Sequence, residues 1–261
     1  MSLGTVVLTG AAGRVGAVLR EPLGRVVRRL VLVDRVEMSA RGTNEEVRQG
    51  AVEGVEDAMR VVEGADAIVH LAGVSDEAPL ESLLDGNVLG THHMLEAARR
   101  TGVRRVVLAS SNRLTGFYPA DQEVSVDMPV RPDGLYGVSK AAVEALGRLY
   151  ADKFGTEVVC LRIGSMEAEP TEPRHLSTWL SPRDCAGFVE AALTVEGVGF
   201  LAVYAVSANT RRFWELDERI GYVPQDDAER FAPAEGASFE GPQGGGFASA
   251  EFTIRHGRLG G

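Results

Sequence analysis

Short runs of Val, Ile and Leu recur along this chain, each followed by a longer stretch with helical periodicity, and that alternation constrains the fold more than any other feature. Strands are predicted at Thr5–Thr9, Arg29–Val33, Asp66–Leu71, Arg105–Ala109, Glu157–Ile163 and Leu201–Tyr204, with a weaker one near Val47–Val52. The runs are almost continuously apolar, which marks strands buried on both faces. Helices are predicted over Val15–Leu23, Val55–Val62, Glu81–Arg100, Tyr136–Phe154 and Pro182–Thr194. Strands alternating with helices give an α/β fold. Right-handed crossovers make it a doubly wound parallel sheet, Rossmann-type, with helices on both faces. After about residue 205 the pattern loosens, and Phe231–Gly246 reads as loop. The expectation is one domain over residues 1–261. Residues up to about 164 form the core, and residues from about 165 form a small C-terminal cap that covers the substrate.

Composition narrows the class. The 261 residues suffice for an apolar core without disulfides, and Cys160 and Cys185 lack metal-ligand spacing, so no metal is expected. Cys160 lies in an apolar run and reads as a small buried residue. A net charge of −10 opposes nucleic-acid binding. No apolar run approaches membrane-spanning length, and no charged lead with an apolar stretch precedes the first strand. A cytoplasmic protein without membrane partners is expected.

Gly10, Gly13 and Gly16 follow the first strand and open a helix. Gly10 allows a tight turn, Gly13 lets the backbone approach a pyrophosphate, and Gly16 permits close packing. The helix N-terminus offers free N–H groups to phosphates. This strand–turn–helix context points to a dinucleotide. Asp34 ends the second strand, where a carboxylate can accept from both adenosine ribose hydroxyls and repel a 2′-phosphate, favouring NAD over NADP. Arg35 is the competing signal for a 2′-phosphate. Gly73, in His70-Leu71-Ala72-Gly73, lets the backbone pass near the cofactor, and His70 reads as packed within its strand.

The spacing of Tyr136 and Lys140 puts both on one helix face. Lys140 and Lys153 are the only lysines, which sets Lys140 apart from casual surface charge. Ser111 lies just past the strand Arg105–Ala109, at the sheet edge that faces ligands. Ser111 can hold a reacting oxygen beside Tyr136. Lys140 and the positive nicotinamide together are expected to favour the phenolate, and the ammonium can also bond the nicotinamide ribose. Asn87 has two readings, a water relay to Lys140 or a brace for backbone at a helix irregularity.

With these residues in hand, the chain resembles the extended-type short-chain dehydrogenase/reductases. The resemblance rests on Thr9–Gly16, Asp34, His70–Gly73, Asn87–Thr91, Ser110–Ser111 and Tyr136–Lys140. Ser110-Ser111-Asn112, the stretch Arg131–Lys140, Arg162-Ile163-Gly164-Ser165 and Leu176-Ser177-Thr178-Trp179 further resemble the bacterial uronate dehydrogenase family, over about Val6 to Phe252. That resemblance implies NAD-linked oxidation of D-glucuronate and D-galacturonate at C1, giving the aldarolactone, in a homo-oligomer. It implies cofactor contacts from Gly10, Gly13, Arg14, Val15, Gly16, Asp34, Arg35, Leu71, Ala72, Gly73, Lys140, Ile163 and Met166. It implies substrate contacts from Ser75, Ser111, Asn112, Arg113, Tyr136, Ser165 and Arg174, with Arg174 as partner of the C6 carboxylate.

Two departures stand out. Arg113 replaces the family's usual histidine, a second cation that could tighten carboxylate binding or shift which uronate is preferred. Gln49-Gly50-Ala51-Val52-Glu53 replaces an Asp–apolar pair at the adenine, and Gly50 has no side chain to offer there. Two rivals differ in class. A nucleotide-sugar epimerase or dehydratase would need a larger C-terminal part, and a non-catalytic NAD(P)-sensing regulator would need a broken Tyr/Lys pair.

Overall fold

A computed structural model describes residues 3–233 and 238–258 of the chain. The expected loop over 231–246 therefore lies partly outside the described residues. The first half runs β1 (Leu3–Thr9), α1 (Arg14–Val26), β2 (Val27–Asp34), β3 (Glu45–Gln49), α2 (Val55–Val61) and β4 (Ala67–His70). A helical stretch follows as α3 (Leu80–Leu83), a π-helical segment (Leu84–Leu89) and α4 (Gly90–Thr101). Then come β5 (Arg105–Ser111), a 3₁₀ turn (Asn112–Thr115), α5 (Leu135–Phe154) and β6 (Glu157–Ile163). The remainder holds β7 (Ser165–Met166), α6 (His175–Thr178), β8 (Trp179–Leu180), α7 (Pro182–Thr194), β9 (Phe200–Ala205) and α8 (Ala250–Gly257).

Seven strands form one sheet in the order β3-β2-β1-β4-β5-β6-β9, every pairing parallel. The order reverses between β1 and β4, so the switch-point crevice opens past their C-terminal ends. Each inner strand is buried on both faces, as the continuous apolar runs require. One face packs Leu8, Leu32, Val69 and Leu161 against Leu19, Leu23, Cys185 and Val189 of α1 and α7. The other packs Val7, Ile68, Val106 and Cys160 against Ala58, Met94, Leu95 and Val143 of α2, α4 and α5. Both cysteines are buried.

The predicted elements shift in four places. The weak strand forms at Glu45–Gln49 rather than Val47–Val52, in register with Leu30–Asp34. Helix α1 extends to Val26 despite Pro22 and leads directly into β2. The predicted helix 81–100 is interrupted by the π segment, where the Asn87 side chain is spent on the Val74 backbone and the Ser139 hydroxyl. Its amide donates to the Val74 carbonyl (3.1 Å) and the Ser139 hydroxyl (2.9 Å), and its oxygen accepts from Val74 N–H (2.8 Å). The bracing reading of Asn87 is the one observed. Finally, α8 and the short β7–β8 pair carry too little periodicity to be predicted.

A third apolar cluster gathers Tyr118, Val124, Tyr204, Phe213 and Trp214. Trp214 stacks on Tyr204 at 5.1 Å and donates to the Gln243 side chain at 3.0 Å, which moors the C-terminal segment above the ends of β5 and β6.

Candidate active site

Two clusters of predicted residues meet at the C-terminal edge of the sheet. The first surrounds the turn after β1. Gly10 has a left-handed φ of 68°, and an added Cβ there would stand 2.8 Å from Ala72 N, so this turn and the end of β4 lie in direct contact. At Gly16 an added Cβ would meet Gly10 O at 2.4 Å, so the helix packs on its own turn. At Gly13 the only close atom would be Gly10 O at 3.2 Å, which leaves that side open to a ligand. Helix α1 starts there with no side-chain cap.

Asp34 ends β2 beside this turn. It accepts from Ala12 N–H (2.9 Å) and Val36 N–H (3.0 Å), and lone pairs remain for ribose hydroxyls. Arg35 next to it is exposed. Leu71 and Ala72 are tied to Thr9 by their N–H groups, and Gly73 continues past them in an exposed position. Arg14 forms an ion pair with Glu167, linking the start of α1 to the segment after β7. Val15, Ile163 and Met166 pack at the edge of the core below. The glycine-rich turn, the free helix end and the strand-end carboxylate together fit a dinucleotide.

The second cluster holds Ser111, Tyr136 and Lys140, all buried. Ser111 ends β5 and Tyr136 sits in the first turn of α5. Ser111 Oγ accepts from Arg113 N–H (3.2 Å). Lys140 Nζ donates to the Ala109 carbonyl (2.9 Å) and lies 5.7 Å from the Tyr136 ring centre. Burial pushes the Lys140 ammonium down to about 8. Burial also pushes the Tyr136 phenol up to about 12, against the pull of the Ser111 hydroxyl and the Arg113 charge. The chain's own groups thus leave the phenol protonated, and the expected help to the phenolate is from Lys140 together with the positive nicotinamide. His70 is buried in β4, shares a 2.8 Å hydrogen bond with the Thr9 hydroxyl and is held neutral by burial, which pushes it down to about 3.

The two predicted substrate arginines have different surroundings. Arg174 is 6% exposed, donates Nε to the Gln243 carbonyl (2.6 Å) and Nη1 to Ser165 Oγ (3.4 Å), and has no ion pair among the described residues. Burial lowers it to about 10, still a cation at neutral pH. Arg113 is instead paired with Asp76 (2.9 Å), Glu77 (3.2 Å) and Asp133 (2.6 Å). The expected second cation for an acid is thus already answered within the chain. Both guanidiniums flank Phe247, Arg113 at 4.3 Å and Arg174 at 5.6 Å from the ring centre, and Arg113 lies 5.4 Å from the Tyr136 ring. Asn112 is buried beside this group, and Ser75 is exposed on the loop after β4.

A profile of the NAD dependent epimerase/dehydratase family matches residues 6–190. The uronate dehydrogenase of Pseudomonas syringae pv. tomato is 43% identical over 229 residues, covering 87% of this chain and 83% of the relative. The chain belongs to that family, among its uronate dehydrogenases. A solved mutated uronate dehydrogenase superposes with a TM-score of 0.91 at 38% identity, covering 97% of this chain and 96% of the other. A mutant uronate dehydrogenase from Agrobacterium tumefaciens, complexed with NAD, gives 0.88 at 39% identity, covering 95% and 97%. Among the described residues no cluster of His, Cys, Asp and Glu could hold a metal ion, and no helix is long and apolar enough to cross a membrane.

Three participants escaped the sequence reading. Glu77 accepts from the Leu135 and Tyr136 N–H groups (2.8 and 3.2 Å) and so caps the helix that carries Tyr136. Gln243 supplies the carbonyl for Arg174, and the Phe247 ring contacts both arginines. Glu77 lies in an irregular loop with no periodicity to mark it. Gln243 and Phe247 lie within the span from about Val6 to Phe252 over which the resemblance runs, which gives them no role by itself.

Proposed function

We propose that the chain oxidises a uronic acid, D-glucuronate or D-galacturonate, at C1 to the aldarolactone with NAD. One observation carries the choice of an acid: Arg174 is a buried guanidinium held by a backbone carbonyl and a hydroxyl, without a carboxylate partner among the described residues. Glu172 and Asp133 act on it only at longer range, so burial still costs it, and a substrate carboxylate would relieve that cost with a bidentate contact.

In this reading residues up to about 164 hold the cofactor and later residues cap the substrate. The Gly10–Gly16 turn and the start of α1 take the pyrophosphate, with Arg14 and Val15 beside it. Asp34 takes the adenosine ribose, Arg35 borders it, and Leu71, Ala72, Gly73, Ile163 and Met166 line the nicotinamide side. NAD, when bound, supplies both the two-electron acceptor and the positive charge that the phenolate lacks. Ser111 orients the C1 hydroxyl, and Tyr136 takes its proton. Lys140, with donors left beyond the Ala109 carbonyl, holds the ribose hydroxyls. Ser75, Asn112 and Ser165 bond sugar oxygens, and Arg174 holds the C6 carboxylate far from the reacting carbon.

The protein acts in this reading as a cytoplasmic homo-oligomer. Exposed Leu84, Leu89, Val138 and Leu149 on the helices of one sheet face support self-association. The test is NADH formation with NAD and each uronate, with glucose as control. NADH from a uronate and little from glucose is expected. No NADH from either uronate overturns the proposal.

A further inference from the structure

The Arg113 environment assigns that residue a task other than gripping the substrate. Asp76 and Glu77, from the loop after β4, and Asp133, from the turn before α5, converge on one guanidinium. Glu77 and Asp133 side chains are 0% exposed and Arg113 is 6% exposed. Three carboxylates answer one guanidinium, so Arg113 has little charge left for a substrate acid; burial pushes the Asp133 carboxyl up, while Arg113 and Arg174 pull it down. We propose that Arg113 is a positioning residue for the Tyr136 base, acting through Glu77 on the first turn of α5. This rests on the reading of Tyr136 given above.

Three contacts connect Arg113 to the phenol. Nη2 of Arg113 holds Glu77, whose two oxygens accept from the Leu135 and Tyr136 N–H groups. A carboxylate at that point also complements the helix dipole. The Arg113 carbonyl accepts from Asp133 N–H at 3.2 Å and would stand 2.6 Å from a Cβ added at Gly137, so the turn after Ser111 rests directly on α5. Finally, the guanidinium lies over both the Tyr136 and Phe247 rings. The residue two places beyond Ser111 thereby fixes the separation of Ser111 from Tyr136, a distance to which proton transfer is sensitive.

The experiment compares Arg113→Met, Arg113→Lys and Glu77→Gln in steady-state kinetics with a uronate and glucose, and in amide hydrogen exchange over residues 131–140. Arg113→Met and Glu77→Gln are expected to lower kcat about 10–100-fold while KM for the uronate moves less than about threefold. The uronate-to-glucose ratio should hold, and Arg113→Lys, which keeps the charge, should recover part of kcat. Exchange at Leu135 and Tyr136 should quicken in the two weaker-pairing variants, a readout that needs no substrate and stands even if wild type forms no NADH with a uronate. A raised KM with kcat intact, or a collapsed uronate-to-glucose ratio, overturns the proposal in favour of substrate binding. Unchanged exchange protection overturns it as well. If Arg113→Met does not fold, Arg113→Lys and Glu77→Gln decide the matter on the same readouts.

Discussion

Tyr136 sits where burial and charge pull in opposite directions. Burial pushes its phenol up to about 12, while the Ser111 hydroxyl and Arg113 pull it down. On the proposed reading, the positive nicotinamide shifts that balance toward the phenolate, which would couple proton transfer to cofactor binding. Tyr136→Phe should cost at least ~10²-fold in turnover with NAD affinity retained, as general acid–base catalysis is worth that much. Parallel turnover and NAD titrations check it, and near-normal turnover removes Tyr136 as the base. Asp34 faces a simpler contest with Arg35. Its carboxylate already accepts from Ala12 and Val36 N–H groups and is fixed at the strand end. Asp34→Ala should narrow the preference for NAD over NADP by freeing Arg35 to meet a 2′-phosphate. The ratio of specificity constants for the two cofactors reads this directly, and equal use of both by the native protein contradicts it.

At the scale of elements, strands were the most legible part of the sequence. Doubly buried strands must be continuously apolar, and β1, β4, β5 and β6 formed where the runs lie. Elements defined by polar side chains were not legible. The π segment depends on the Asn87 amide reaching Val74 across 13 positions of sequence, and no periodicity records such a contact. His70 shows a thermodynamic consequence of the same buried sheet. Its ring is pushed from an ordinary 6.5 down to about 3, so the folded chain resists protonating it. The unfolded chain takes up that proton more readily, so stability is full above pH 6.5 and declines as pH falls toward 3, by at most about 4–5 kcal/mol from this group. His70→Asn should flatten the melting-temperature profile across that window. A profile as steep as wild type shows that the carboxylates alone set the acid response.

For the molecule as a whole, the proposed cofactor contacts could be read from local patterns, because a glycine turn, a strand-end carboxylate and a Tyr/Lys pair are each short. The substrate side could not, because Arg174 is placed by Gln243 at a separation of 69 residues, and Gln243 by Trp214, Pro119 and Gln122. Arg113 shows the same limit: its type was plain in the sequence, while the three carboxylates that absorb its charge were not. The central claim is that Arg174 alone supplies the charge that selects an acid at C6. Truncating a hydrogen-bonded charge contact costs roughly 2–4 kcal/mol by analogy with interface pairs, and Arg174→Lys should restore only part because an ammonium cannot form the fork. The most direct test is the uronate-to-glucose ratio of kcat/KM in wild type and Arg174→Ala. The ratio should collapse in the variant while any trace activity on glucose stays near its wild-type level; an unchanged ratio would show that Arg174 does not hold the acid.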